Sequence, residues 1–265
     1  MNLENQNGQL DEEDKPNNNE RPNKDSKYAR WSLYLRQIIS GSQNTRTQQE
    51  VVTLNVLLVG GPQTGKSAVG NALLGSLEFS SSLSSRPVTL EPKLCSLSFP
   101  AFLRRQGKET ALRLRVIDTP AIPNLALTEA EILQNVTTFM SHRSVESVDV
   151  LLLVLRADVP LGREVENQLN HTLEVLLGPS WNSHSMIILT HKDQLRGSKL
   201  SQTQFLQRGS SVTQRLVEKV ENRVYFADVS TKHVWQEGTK LRESILQLTV
   251  RNKYSSLQLK QVTIP

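Results

Sequence analysis

Apolar residues follow two rhythms along this chain. From about residue 51, short continuous apolar runs alternate with segments whose apolar positions recur every three or four residues, which predicts an α/β fold with a mostly parallel sheet and helices on both faces. Residues 54–59 are apolar and β-branched, as a buried parallel strand requires, and 68–74 follow at helical spacing and stop near Gly75. Residues 93–99 and 111–117 alternate apolar and polar side chains, which predicts half-exposed strands paired as a hairpin, open to an antiparallel arrangement. Pro100 is expected to end the first, leaving a loop of about ten residues. The continuous runs 148–155 and 186–189 predict central strands, and 224–226 a last one. Helices are expected over 164–177, closed by Gly178-Pro179, and over 240–250.

Outside this region the rhythm changes. Residues 1–27 are rich in Asn, Asp, Glu, Lys and Gln with almost no apolar groups, so a disordered polar arm is expected. In 28–40, Tyr28, Trp31, Leu35 and Ile38 recur at helical spacing with Arg30, Arg36 and Gln37 between them. This predicts a short amphipathic helix, and leaves open whether it packs on the domain, touches a membrane surface peripherally or pairs with a second chain. Residues 41–51 read as a polar linker, 52–253 as the globular domain and 254–265 as a short tail.

Composition narrows the function classes. With 265 residues and 37% hydrophobic content the chain can bury one full α/β core. A single cysteine, Cys95, excludes an internal disulfide framework, and the five histidines lack metal-ligand spacing. The net charge of +5 comes from basic residues interspersed with acidic ones, without an aromatic-interleaved stripe, so nucleic acid is not an expected partner. No secretory signal, transmembrane window or lipidation motif is found, and a cytoplasmic location is expected.

The candidate chemistry begins where the first strand meets the first helix. Gly60-Gly61-Pro62-Gln63-Thr64-Gly65-Lys66-Ser67 fits the phosphate-loop pattern G-x-x-x-x-G-K-[ST] between a predicted strand and helix. Such a loop turns backbone N–H groups around a β-phosphate at a helix N-terminus, and Ala68 on the first turn is counted among the phosphate-binding positions. Lys66 is placed to reach the β- and γ-phosphates and Ser67 to ligate Mg²⁺. The bland alternative is a glycine-rich turn with a stray lysine.

Three further features refine this. Asp118 ends an apolar strand, where it can hold a Mg²⁺-bound water or simply cap a turn. Thr89, between the first helix and the next strand, can complete the Mg²⁺ shell or be a solvated loop residue. Thr190-His191-Lys192-Asp193 follows a strand, and Asp193 can accept hydrogen bonds from guanine N1 and its exocyclic amine, which adenine cannot offer. A charged surface loop is the alternative there.

These segments resemble the GIMAP (AIG-type) GTPases. The likeness rests on the phosphate loop with its Gly70-Asn71-Ala72-Leu73-Leu74-Gly75 continuation, on Pro87-Val88-Thr89, on Asp118-Thr119-Pro120, on the 156–163 segment and on 190–193, and spans about residues 52–252. It implies a P-loop NTPase fold with a Ras-like sheet of about six strands, GTP or GDP with Mg²⁺ as ligands, metal contacts from Ser67, Thr89 and, through water, Asp118, and a GTP-dependent homodimer. His191 stands where the family has arginine and could stack on the base. Two further places depart from the family. Ala121 replaces the glycine after Asp-Thr-Pro, keeping an N–H donor for the γ-phosphate while losing access to positive φ. Phe226-Ala227-Asp228 stands where Phe-Asn-Asn is usual, leaving the base contact to Asp228 or to the backbone of Ser230-Thr231-Lys232.

The sequence therefore favours a guanine-nucleotide-binding protein acting as a slow switch or a GTP-stabilised scaffold, with low intrinsic GTPase activity open. A degenerate domain serving as a non-catalytic interaction module is the alternative. A small-molecule kinase is disfavoured by 190–193 and by the lack of an arginine-rich lid.

Overall fold

The computed structural model describes residues 50–80, 89–105, 108–193, 200–229 and 234–260. The expected arm, amphipathic helix and nearly all of the linker lie outside them. In chain order the elements are β1 (Glu50–Val59), α1 (Lys66–Leu74), β2 (Lys93–Arg105), β3 (Lys108–Asp118), α2 (Glu129–His142), β4 (Ser147–Val148), β5 (Val150–Arg156), α3 (Arg163–Leu177), a 3-10 turn (Pro179–His184) and β6 (Ser185–Thr190). They continue with α4 (Gln202–Arg208), α5 (Ser211–Lys219), β7 (Val224–Phe226), α6 (Val234–Arg251) and β8 (Leu257–Gln258).

Six strands form one sheet in the order β2-β3-β1-β5-β6-β7. All neighbours are parallel except β2 and β3, the hairpin left open by the sequence. Its central strands are buried on both faces, which explains their unbroken apolar runs. On one face Leu57, Ile117, Leu151 and Leu153 pack with Ile132 and Val136 of α2, Leu169 and Leu173 of α3, and Trp181. On the other, Val56, Leu58, Leu114 and Leu152 pack with Val69 and Leu73 of α1 and Leu241 and Ile245 of α6. The two helices on that second face approach closely: a Cβ at Gly238 of α6 would lie 1.9 Å from the Ala72 carbonyl oxygen. Arg242 then donates to the Leu73 carbonyl at 2.8 Å, satisfying a group that the end of α1 leaves unpaired.

Several details differ from the sequence reading, among them the helices α4 and α5, which it does not anticipate. Strand β2 does not stop at Pro100 but continues to Arg105 through an irregularity between Phe99 and Leu103. A proline without an N–H is tolerated there because β2 is an edge strand. Over residues 100–105 and 108–110 strand thereby stands where the ten-residue loop was expected. The 148–155 run divides at Asp149, with β4 pairing to β8 in the segment read as tail. Strand β1 begins at Glu50, inside the segment read as linker, and α2 was not anticipated although Thr128 and Glu131 form a complete capping box at its start.

Candidate functional site

Parallel strands deliver their C-terminal ends to one edge of the sheet, and β1, β3, β5 and β6 there present Gly60, Asp118, Arg156 and Thr190. Gly60 is required by contact rather than by φ: a Cβ would lie 2.1 Å from the Val154 carbonyl oxygen. The loop then turns with Gln63 at φ 54° and Gly65 at φ 86°. Thr64 donates to the Gly61 carbonyl at 3.0 Å, closing the turn. Helix α1 starts at Lys66 with no side chain capping it and no acidic residue in its first turn. Its N-terminal N–H groups and partial positive charge are thus left for an anion.

Lys66 is buried and donates to the carbonyls of Gly60 at 3.0 Å and Gly61 at 2.8 Å. Burial lowers its pKa to about 8, against the pull of the Asp118 carboxylate. Ser67 donates to Asp118 Oδ2 at 2.6 Å. Burial also raises the Asp118 pKa, opposed by the Ser67 hydroxyl, the Lys66 charge, the Thr89 hydroxyl and the Thr119 backbone N–H. The other oxygen, Asp118 Oδ1, is buried with no hydrogen-bond partner among the described residues. A cluster of Ser67, Thr89 and a carboxylate with an unsatisfied oxygen fits a hard cation such as Mg²⁺ bound partly through water.

The segment after Asp118 is fastened to the phosphate loop. Thr119 donates to the Leu58 carbonyl at 2.8 Å, and the Ile122 N–H donates to the Gly60 carbonyl at 3.1 Å. Ala121 is buried and is not among the positive-φ residues, so its backbone here has no need of the glycine expected from the resemblance.

On the other side, Thr190 ties β6 to the phosphate loop by donating to the Thr64 carbonyl at 2.8 Å, and its oxygen lies 3.0 Å from His191 Nδ1. His191 adopts φ 59°, which turns the chain at the strand end, and Asp193 follows on the exposed side. Asp228 is 7% exposed, immediately after Ala227, whose N–H donates to the Leu189 carbonyl at 2.8 Å. The structure therefore gathers Gly60–Ser67, Ala68, Thr89, Asp118 and Ala121 at one end of the edge. It sets His191, Asp193 and Asp228 at the neighbouring strand ends. Sequence reasoning missed the tethering hydroxyls of Thr119 and Thr190, whose only sequence signal is a threonine just past an apolar strand. It also missed the paired hydrogen bonds of Arg156 to Asp158 at 3.0 and 2.7 Å, which brace the loop after β5.

Residues 54–256 match the AIG1 family. The chain belongs to that family. Among its relatives, Immune-associated nucleotide-binding protein 4 of Arabidopsis thaliana is 25% identical over 191 residues, covering 71% of this chain and 54% of that protein. GTPase IMAP family member 8 of Homo sapiens is 28% identical over 185 residues, covering 68% of this chain and 24% of that protein. The matches thus take in about half or less of these relatives' length. In fold the AIG1 domain is similar to Toc33 from Arabidopsis thaliana in complex with GDP and Mg²⁺, at a TM-score of 0.60 and 18% identity, covering 89% of this chain and 95% of that one. A structure of the chloroplast translocon components atToc33 and psToc159 gives a TM-score of 0.63 at 19% identity, covering 88% and 92%. The sheet is thus a Ras-like P-loop GTPase fold.

Proposed function

We propose that this AIG1 domain binds GTP and GDP with Mg²⁺ and acts as a slow switch or GTP-stabilised scaffold. The observation that carries this reading is the unpartnered Asp118 Oδ1 beside the Ser67 hydroxyl, one residue from the buried Lys66. Gly60–Ala68 would wrap the phosphates with backbone N–H groups while Lys66 neutralises the β- and γ-oxygens. Ser67, Thr89 and, through water, Asp118 would hold Mg²⁺, which when bound neutralises phosphate charge. Asp193 would read guanine, with His191 against the base and Asp228 buried next to the same edge. Residues 121–125 are Ala, Ile, Pro, Asn and Leu, with neither a carboxylate nor an imidazole to activate water, which favours slow turnover.

Large apolar side chains around this edge support assembly across it: Leu125 is 88% exposed, and Leu90 and Val159 about half. Dimerization is described as important for the GTPase activity of atToc33 and psToc159, and a nucleotide-dependent homodimer is proposed here by analogy. Among the described residues no helix is long and apolar enough to cross a membrane, and a cytoplasmic location belongs to the same proposal.

The deciding experiment is calorimetric titration of nucleotide-free protein with GDP, a non-hydrolysable GTP analogue and an ATP analogue, with and without Mg²⁺. Guanine-selective binding, tighter for the triphosphate when Mg²⁺ is present, is expected. A folded protein that binds none of the three refutes the proposal.

A further inference from the structure

Among the described residues, nothing covers the whole length of the sheet face that carries α2 and α3. Toward the far end of the strands from the phosphate loop, Thr53 pairs with Arg113 and Arg113 with Ser98, and next to them Ser96 pairs with Arg115. Paired residues share a face, and Thr53, Ser96, Ser98 and Arg113 are all exposed. The alternation of β3 puts its buried partners Leu112 and Leu114 on the opposite face. Arg115 donates to the carbonyls of Arg143 at 2.6 Å and Ser144 at 3.2 Å, which draws the end of α2 and its exposed Arg143 to the same patch. Like charges crowd here: burial first and the Arg113 charge second lower the Arg115 pKa. Two exposed acidic residues lie nearby in register or sequence, Glu109 on the same face of β3 and Glu146 beyond Arg143.

An open sheet face bearing three arginines calls for an anionic partner, and the chain contains one. Asp11-Glu12-Glu13-Asp14 is a run of four carboxylates, and residues 1–27 hold seven acidic against four basic side chains although the whole chain has a net charge of +5. The described structure begins at Glu50, three residues before Thr53 on this very face. Even at coil dimensions the roughly 36 residues from Asp14 to Glu50 reach on the order of 30–36 Å, comparable with the width of a domain of this size. Such a tether holds the acidic run at an effective concentration in the millimolar range.

We propose that the Asp11–Asp14 segment docks transiently on the sheet face formed by Arg113, Arg115 and Arg143, shielding it from other anions. This surface is separate from the nucleotide edge and the proposal does not depend on the nucleotide reading. A membrane surface rich in anionic lipid offers the same charge, but the covalent tether at Glu50 and the sign of the arm favour the intramolecular partner.

The test uses the full chain with a nitroxide spin label on Gly8→Cys in a Cys95→Ser background, with amide resonances read by relaxation enhancement. At low ionic strength the amides of Thr53, Ser96, Ser98 and Arg113 should lose intensity selectively. Raising the salt to about 0.5 M should restore it, since exposed pairs are screened within a few ångströms there. Combining Asp11→Asn, Glu12→Gln, Glu13→Gln and Asp14→Asn should abolish the effect, as should Arg113→Ser alone. No selective loss at these amides, or a loss that survives neutralisation of the arm, overturns the proposal. So does Arg113-dependent co-sedimentation with phosphatidylserine vesicles in a chain that shows no intramolecular broadening, which would assign the face to lipid.

Discussion

The Ser67 hydroxyl lies 2.6 Å from Asp118 Oδ2, joining the end of the phosphate loop to the end of β3 and leaving Oδ1 buried without a partner among the described residues. That geometry separates two roles of Asp118. As a structural group it is costly, because burial raises its pKa despite four favourable contacts. Asp118→Asn keeps an acceptor for Ser67 and removes the buried charge, so thermal stability of the nucleotide-free protein should be unchanged or higher. As a Mg²⁺-water ligand it is needed in its charged form. The same variant should therefore lose roughly tenfold or more of the Mg²⁺-dependent gain in GTP-analogue affinity, read by titration with and without the metal. A lower melting temperature with undiminished Mg²⁺ dependence would reverse the assignment.

Lys66 gives nucleotide binding a pH signature. Burial holds its pKa at about 8, and a phosphate placed against it would raise that value again. Binding then takes up a proton at pH above 8, so affinity for GDP should fall as pH rises from about 8 to 10, by up to about tenfold per unit. Folding alone has the opposite slope. The unfolded lysine holds its proton up to its ordinary pKa of 10.5, so between about 8 and 10.5 this group makes the nucleotide-free protein more stable as pH rises. Calorimetry in buffers of different ionisation enthalpy reads the proton uptake directly, and Lys66→Ala should abolish it along with most of the affinity.

In the proposed reading base selectivity rests on Asp193, exposed three residues beyond Thr190. Asp193→Asn replaces one acceptor oxygen by a donor facing the guanine N1–H and amine. Affinity for GDP should fall at least about a hundredfold, while the weaker affinity for ADP should change by less than about threefold. The contrast is measured by competition against a fluorescent nucleotide. Equal losses for both nucleotides would mean that Asp193 acts on the loop rather than on the base.

The sequence made the alternation of strands and helices legible because a buried parallel strand has few alternatives to an unbroken apolar run, as at 56–59 and 186–189. The phosphate loop was legible for a related reason: Gly60 and Gly65 answer constraints that other residues meet poorly, a carbonyl 2.1 Å from a would-be Cβ and a φ of 86°. What escaped was set by partners distant in sequence. Pro100 signals an end to a strand, yet at a sheet edge the missing N–H faces no neighbour. The split at Asp149 depends on β8, more than 100 residues later. Thr190 looks like a motif residue, but its contact with the Thr64 carbonyl spans 126 positions and exists only once β6 and the phosphate loop meet. Ala121 was read as a loss of positive φ, whereas the backbone in this structure does not visit that region.

Asp149 supplies a prediction remote from the nucleotide. Its carboxylate accepts from the Asn55 N–H at 2.7 Å, its own N–H donates to the Asn55 carbonyl at 3.0 Å, and Asn55 Oδ1 is buried with no partner among the described residues. Burial raises its pKa to about 6 from an ordinary 3.8, with the Asn55 N–H opposing. A folded pKa above the unfolded one means that the folded chain binds more protons between those values. The stabilisation from the neutral acid is complete below 3.8 and is lost as pH rises through about 6, so at pH 7 the ionised group is a liability. Asp149→Asn keeps an acceptor for the Asn55 N–H and removes the buried charge. It should stabilise the protein at pH 7 by roughly 1–3 kcal/mol, several degrees in Tm for a domain of this size. The gain should shrink steadily in urea unfolding carried out from pH 7 down to about 4, where the wild-type acid is neutral in the folded state. A gain that does not change with pH would place the effect in packing rather than in the buried charge.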